Sequence, residues 1–365
     1  MLQAIRQERL LLLPILGGLA ALMFEHQLVE AGKLISLLAA GALIVLIVLA
    51  SIRVAHQAEI LAVKVGDPYG TMILTLSAVL VEVIILAIMM NNQASPTLVR
   101  DTIYAAVMLD INGILGLAAL LGGIKHGEQP YNDDSGKTYS VMILTAMGIS
   151  MVVPEFIPAA KWSYYSAFTI VAMIVLYALF LRMQVGQHSY FFSYTYPQAK
   201  RAAKPGEAAH EEEEASTAAA IVIILIGVVI IGFLAEVMST LLNHGLEGSG
   251  APPALMAIVV AAISASPEIM TALRAALKNR MQAVVNIALG ASLSTVILTV
   301  PVMEAIALYT GQPFVMAMTP AQTVMVGITL IAAAINLNDG ETNAIEGMTH
   351  FILFATFIML TVLGL

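Results

Sequence analysis

The sequence has no cysteine and is poor in charge. Without cysteine the chain forms no disulfide, holds no iron–sulfur cluster and offers no thiolate nucleophile. Charged residues make up 11% of its 365 residues, against about 25% in soluble domains. Hydrophobic residues make up 59%, and a surface so poor in charge would not stay soluble. The composition therefore excludes an ordinary soluble protein and indicates one that lies within a membrane.

A basic cluster with interleaved aromatic residues is also missing, which argues against nucleic-acid binding. What the chain has instead is a series of hydrophobic runs long enough to cross about 30 Å of hydrocarbon. They are too long for the strands of a membrane barrel, so we expect helices. The first run has no A-x-A-like cleavage site, and we interpret it as a helix rather than a signal peptide. The expected spans number eleven: 10–24, 33–52, 69–91, 97–121, 139–157, 163–184, 217–242, 252–276, 281–309, 320–336 and 347–365.

The distribution of lysine and arginine predicts how these spans are oriented. If the N-terminus is cytoplasmic, thirteen of the 16 basic residues fall in cytoplasmic segments, and only Lys33, Arg100 and Lys161 fall outside. Basic residues are enriched in the cytoplasmic loops of membrane proteins. We therefore expect a cytoplasmic N-terminus and a C-terminus on the outer side.

Two glutamates occur inside predicted spans. Glu82 lies midway along YGTMILTLSAVLVEVIILAIMM, and Glu268 lies in SASPEIM, directly after a run that should be in lipid. A charged residue at that depth costs about 2.5–3.5 kcal/mol on insertion scales unless it is compensated. The predicted orientation makes the two helices run in opposite directions, which is typical of an inverted repeat with a site at the bilayer midplane. The alternative is that each glutamate is a protonated group that joins neighbouring helices.

The stretch SASPE explains how such a site is built. Pro267 has no N–H and disrupts the preceding turn, which frees backbone carbonyls. Free carbonyls at membrane depth are tolerated where they line a cavity or lie within protein. Together with carboxylates and serine hydroxyls they are hard oxygen ligands, suited to calcium or sodium. The seven histidines are scattered, and we assign them no ligand role.

The chain resembles a known family in these regions. In the first half the resemblance rests on AEILAVKVGDPYGTMILTLSAVLVEVIILA and RDTIYAAVMLDINGILGLAALLGGIKHGEQ. In the second half it rests on SASPEIMTALRAALKNRMQAVVNIALGASLSTVILTVPV and NDGETNAIEGMTHFILFATF. Over about residues 53–365 the sequence is similar to the calcium/proton antiporters of the cation/calcium exchanger superfamily, whose bacterial branch includes Ca²⁺/H⁺ and Na⁺(K⁺)/H⁺ antiporters.

The resemblance implies an all-α polytopic membrane protein of about 11 transmembrane helices, one leading helix followed by two inverted five-helix repeats. The expected domains are an N-terminal tail with the leading helix at 1–32, a first repeat at 33–184, an acidic cytoplasmic linker at 185–216 and a second repeat at 217–365. The linker ends in KPGEAAHEEEEAS, whose adjacent glutamates repel each other and resist folding. We interpret it as solvated chain, with a weak cation sensor as the alternative.

The resemblance also implies site residues. Glu82 and Glu268 match the paired carboxylates that bind the cation or exchange it for protons, and are the expected metal ligands. The secondary polar candidates are Asp110, Asn112, Ser266, Ser292 and Ser294. Two features depart from the family pattern: SAVLVE lacks the small-residue break that precedes the acid in SASPE, and Asp110 stands where an amide is usual. Asp110 is either a third acid of the site or a helix-packing aspartate.

The expected function is secondary antiport, most readily Ca²⁺ against H⁺ by alternating access, in a bacterial inner membrane. Two close carboxylates cannot both stay ionised after the cation leaves, so protons replace it. A Na⁺/H⁺ or K⁺/H⁺ antiporter is the alternative on the same fold. A cation channel and an intramembrane hydrolase using Ser264 or Ser266 are remote, since no G-x-S-x-G motif is present and His56 and His188 lie at predicted helix ends. We expect no cofactor, and as partners inorganic cations, protons and lipid but no nucleic acid; the sequence does not give the oligomeric state.

Overall fold

The computed structural model describes residues 9–65, 69–92, 95–186, 188–194, 217–250, 252, 254–312 and 314–365. This part of the chain is mostly helical. Its α-helices are α1 Arg9–Glu30, α2 Lys33–Val65, α3 Tyr69–Asn92, α4 Leu98–Met108, α5 Gly116–His126, α6 Asp133–Met147, α7 Trp162–Val185, α8 Thr217–Leu246, α9 Ala254–Ser264, α10 Ser266–Leu277, α11 Met281–Ser294, α12 Val300–Thr310, α13 Pro320–Asn336 and α14 Ala344–Val362.

Three π-helical segments interrupt or extend the long helices. Segment π1, Leu109–Leu115, joins α4 to α5; π2, Gly148–Val152, follows α6; and π3, Thr295–Thr299, joins α11 to α12. Short 3₁₀ turns occur at Val153–Phe156, Ala159–Lys161 and Ser189–Phe192. Such π segments often occur at functional sites.

The only sheet in the described part of the chain is a two-residue antiparallel pair. Strand β1 is Gln129–Pro130 and strand β2 is Glu341–Thr342, with Gln129 opposite Thr342. The pair joins a loop of the first half to a loop of the second.

The predicted spans agree closely with the helices. Eight described helical stretches are long and apolar enough to cross a membrane, and the pair α9 and α10, bent by 58°, makes a ninth. The other two predicted spans coincide with shorter apolar helices, Leu76–Met90 within α3 and α13. The polytopic helical fold is therefore confirmed, with eight or nine described spans by length and composition.

The main correction concerns α2. The sequence predicted its end near residue 52, but the helix continues to Val65. Arg53 and the polar residues after it do not end the helix, because no glycine or proline occurs between residue 53 and Val65. The boundary between α1 and α2 falls at Gly32, whose φ of 105° reverses the chain in a conformation that favours glycine.

Helices from the two sides of the linker pack against each other. Among the described helices, the most extensive packing is between α2 and α8. Helix α9 packs on α4, and α10 packs on α5. Helix α14 packs on π1 and α5, and α11 packs on π1 and α6. Most of the acidic linker, residues 195–216, lies outside the described residues, and the boundaries of the four domains remain predictions.

Candidate functional site

Glu82 lies in the middle of α3, which runs without interruption through SAVLVE. Its side chain is buried, with 3% of its surface exposed. Its Oε2 accepts hydrogen bonds from Thr295 Oγ1 at 3.0 Å and Thr299 Oγ1 at 3.1 Å, both on π3. Its Oε1 has no hydrogen-bond partner among the described residues. One carboxylate oxygen is thus held by two hydroxyls, and the other is available to a proton or a cation.

Asp110 lies on π1 and is 2% exposed. Its Oδ2 accepts a hydrogen bond from Ser292 Oγ on α11 at 3.1 Å. This contact joins the third long helix of the first half to the corresponding helix of the second half. Of the two polar candidates predicted on α11, Ser292 therefore contacts an acid directly.

Glu268 lies in the first turn of α10. The helix starts anew here because Pro267, in the first turn of α10, cannot bond back to the turn before it, and Ala265 alone lies between α9 and α10. The positive end of a helix stabilises a carboxylate in its first turn. Oε2 of Glu268 is buried from solvent and has no hydrogen-bond partner within the described ranges. The helix is broken before Glu268, as the sequence predicted. Helix α3 is continuous before Glu82, also as predicted.

Ser266 does not contact the acids through its hydroxyl. Its Oγ donates to the carbonyls of Ala262 at 2.8 Å and Ile263 at 2.9 Å. Ile263 is the residue whose carbonyl would have bonded the N–H that Pro267 lacks. Ser266 thus satisfies the carbonyls that the proline frees, and this is a local role in the break. Ser264 Oγ likewise donates to Ala261 O at 3.0 Å, which differs from a nucleophile oriented by a base.

The three acids come together from α3, π1 and α10. Asp110 lies near enough to Glu268 and Glu82, and Glu268 near enough to Glu82, for their charges to repel one another when ionised. We call these three residues the acid cluster. In the described residues no three Asp, Glu, His or Cys side chains are close enough to hold a metal ion by themselves. A cation at the acid cluster would therefore need hydroxyl, carbonyl or water oxygens, or a closer approach of the carboxylates.

Asn112 and Ser294 face elsewhere. Residues two apart on a helix do not share a face, and Asn112 points away from Asp110 towards α13 and α14. Its Nδ2 donates to Thr329 Oγ1 at 2.7 Å, and His350 Nδ1 lies 2.9 Å from its Oδ1. Ser294 Oγ donates to Gly290 O of its own helix at 2.7 Å.

The sequence analysis missed the residues that hold Glu82. These residues are Thr295 and Thr299. With the predicted Ser292 they are spaced by three and then four residues in SLSTVILT, the spacing of one helix face. That pattern of hydroxyls in an apolar run was a usable signal.

Another buried acid, also missed, lies apart from the acid cluster. Glu304 on α12 is 2% exposed and lies close to Ser166 on α7, and its Oε2, like Oε1 of Glu82, has no partner among the described residues. Its surroundings resemble those expected of a glutamate that joins two helices. It is therefore a natural control for the other glutamates.

Comparison with known proteins supports a single family. The family model described as sodium/calcium exchanger protein matches residues 35–186 and 219–363. The chain is 32% identical to the putative ionic transporter y4hA of Sinorhizobium fredii over 96% of this chain and 95% of that protein. It is 33% identical to the sodium-potassium/proton antiporter ChaA of Escherichia coli over 84% of each chain.

A similar fold occurs in the crystal structure of the selenium-substituted Ca²⁺/H⁺ antiporter YfkE. The TM-score is 0.68 at 18% identity, covering 93% of this chain and 99% of that one. At this identity the likeness concerns the fold alone.

Proposed function

The chain belongs to the sodium/calcium exchanger protein family, and on that premise we propose that it is a secondary transporter that exchanges a cation for protons across a membrane. The observation that carries the proposal is the acid cluster, in which Glu82 and Asp110 are buried and Glu268 is partly buried with its Oε2 closed to solvent. Three carboxyl groups from three separate elements interact in the interior of a bundle of apolar helices. Ionisable residues at such depth are costly and usually mark an ion or proton pathway.

Coupling follows from the charge balance of the paired glutamates. Glu82 and Glu268 each have one buried carboxylate oxygen without a partner in the described structure. A bound cation satisfies these oxygens, and when it leaves, close carboxylates cannot all remain ionised. Protons then take its place. Cation and protons exclude each other, and this exclusion links their movements in opposite directions.

We propose Ca²⁺ as the preferred cation. Two carboxylates balance a divalent charge, and oxygen ligands suit this ion. If only the two glutamates titrate, two protons exchange for one Ca²⁺ and the cycle is electroneutral. Participation of Asp110 would raise the proton count. The 33% identical sodium-potassium/proton antiporter favours Na⁺ or K⁺ as the second candidate.

Access to the site has to alternate between the two sides of the membrane. The acid cluster lies between helices of both halves, so movement of one set against the other would expose it in turn. We further propose that the protein resides in a bacterial plasma membrane with its N-terminus in the cytoplasm, on the basis of the lysine and arginine distribution.

The test of the proposal is proton movement driven by a cation gradient. Vesicles containing the purified protein are given a pH gradient, and Ca²⁺, Na⁺ and K⁺ are added separately. Glu82→Gln and Glu268→Gln keep side-chain volume but fix the group neutral. We expect both to abolish cation-driven proton release while the protein still inserts.

Glu304→Gln is the matched control, because Glu304 is as buried as Glu82 yet lies near Ser166, outside the acid cluster. It should exchange nearly as well as the wild type. Near-normal exchange by Glu82→Gln or Glu268→Gln would show that these glutamates only join helices. A Na⁺ or K⁺ response without a Ca²⁺ response would favour the second candidate.

A further inference from the structure

Asn112 is anchored by the last two helices of the chain. It is fully buried on π1, two residues after Asp110. Its amide group has a partner at each end, His350 on α14 and Thr329 on α13. These partners are more than 200 residues away in the sequence, and both are buried. Because both ends of the amide bond to α13 and α14, Asn112 directs its oxygen towards these helices and not at the acid cluster in this arrangement.

The hydrogen bonds of His350, Asn112 and Thr329 form a chain in which each residue donates to the next. His350 Nε2 is buried and has no partner in the described part of the protein. A buried N–H without an acceptor is costly, so Nε2 carries the lone pair and Nδ1 carries the proton. Nδ1–H therefore donates to Asn112 Oδ1. Asn112 Nδ2–H then donates to Thr329 Oγ1 at 2.7 Å, and Thr329 Oγ1 lies 3.7 Å from the sulfur of Met108.

Close backbone packing prevents His350 from moving away. A Cβ added to Gly347 of α14 would lie 2.2 Å from the backbone N of Leu120 on α5, and one added to Gly116 would lie 2.8 Å from the Cβ of His350. Small residues allow helix backbones to approach this closely. Helix α14 is thus fixed against π1 and α5, with the imidazole held on the Asn112 amide.

The hydrogen bonds of Asn112 affect the acid cluster because Asn112 and Asp110 lie on the same segment, π1. A π turn bonds i to i+5 instead of i to i+4, so the faces on which its side chains lie differ from those of the flanking α-helices. Asp110 and Asn112 point to different sides of π1, towards α11 and towards α13 and α14. Holding Asn112 on one side therefore fixes where the Asp110 carboxylate lies on the other.

We propose that His350 and Thr329 are positioning residues that clamp the Asn112 amide, fix the rotation of π1 and so set the place of Asp110 in the acid cluster. Asn112 then serves as the anchor of the clamp and not as a cation ligand. The proposal rests on the proposed function, since its consequence is a change in cation binding.

The first test compares two replacements of His350. His350→Leu removes the donor, and we expect it to raise the apparent KM for the cation about tenfold, the usual lower range for residues that orient ligands. The maximal rate at matched levels of inserted protein should fall less. His350→Gln retains an N–H donor and should keep a KM near that of the wild type.

Two further variants separate positioning from simple packing. Thr329→Val removes the other partner of Asn112 and should raise KM in the same direction. Thr361→Val removes a buried hydroxyl of α14 that donates to Phe357 O of its own helix at 3.0 Å, and should leave KM unchanged. An unchanged KM in His350→Leu, with only a lower protein level, would overturn the proposal.

A double-mutant cycle tests the route through Asp110. If His350 acts by positioning Asp110, His350→Leu should add no further rise in KM in an Asp110→Asn protein; additive effects would contradict the proposal. The same cycle on the thermal unfolding temperature of the purified protein, without cation, should also be non-additive, and additivity there contradicts the clamp whether or not the protein transports. Failure of the proposed function instead appears in the wild type, as the absence of cation-driven proton release.

Discussion

At the scale of single residues, the two oxygens of Glu82 differ in their environment. Oε2 is held by the hydroxyls of Thr295 and Thr299, and Oε1 has no partner in the described structure. Hydroxyl donors restrict the carboxylate to one orientation, so Oε1 faces the remaining space of the site. In the proposed mechanism the threonines would therefore act on the cation through Glu82.

Replacing both threonines by valine should weaken cation binding. Thr295→Val and Thr299→Val together keep the side-chain shape but remove both donors to Glu82 Oε2. We expect the apparent KM for the cation to rise by about tenfold or more, because residues that orient ligands have effects of this size. The measurement is the initial rate of proton release from vesicles at increasing cation concentration.

Serine at the same two positions is the control, since it restores the hydroxyls without the methyl groups. Thr295→Ser with Thr299→Ser should bind the cation more tightly than the valine pair. If the two pairs have the same KM, the hydroxyls do not orient Glu82.

At the scale of elements, the contact of α14 with α5 depends on glycine. A Cβ on Gly347 would lie 2.2 Å from the backbone N of Leu120, and its nearest neighbours are all backbone atoms rather than the ends of flexible side chains. Gly347→Ala should therefore separate the two helices. We expect a loss of about 1–3 kcal/mol in stability, the usual cost of overpacking, observed as a lower thermal unfolding temperature in detergent.

Gly327 provides the comparison, because a Cβ at this position of α13 would meet no atom within 4 Å. Alanine inside a helix is favoured over glycine by about 0.5–1 kcal/mol. Gly327→Ala should leave the unfolding temperature unchanged or raise it slightly. Equal losses in both variants would contradict the close-packing argument.

At the scale of the whole molecule, the orientation in the membrane remains to be measured. The absence of cysteine makes single-cysteine labelling straightforward. We expect a cysteine at Ser249, between α8 and α9, to react with an external reagent in intact cells. A cysteine at Ser216, the last residue of the acidic linker, should react only after the cells are opened. External labelling at Ser216 with none at Ser249 would reverse the predicted topology.

The acidic run Glu211–Glu214 should be dispensable for exchange. Four adjacent like charges repel each other and resist a fixed structure. Deleting the run should leave the maximal rate of exchange largely intact in correctly inserted protein. A complete loss of exchange at normal protein levels would show that the linker does more than connect the two halves.

The local features of this protein were readable in the sequence. Apolar runs predict helices because a membrane requires backbone groups to bond within their own segment. Pro267 predicts the break before Glu268 because proline lacks an N–H wherever it stands. The family and the two membrane glutamates follow from the same local patterns. Even the extension of α2 to Val65 agrees with the absence of glycine and proline there.

The partners of the polar side chains were decided by the tertiary structure. Ser266 and Ser294 carry hydroxyls of the kind that bind cations, but these hydroxyls donate to backbone carbonyls three or four residues earlier in the chain. Asn112 is two residues from Asp110, yet it turns to Thr329 and His350. Which face a residue occupies depends on where a π turn adds a residue and on which helix packs opposite, and those contacts join positions more than 200 residues apart. The acids and the helices could be predicted from the sequence. Which hydroxyls bond to the acids depends on how helices of the two halves pack together.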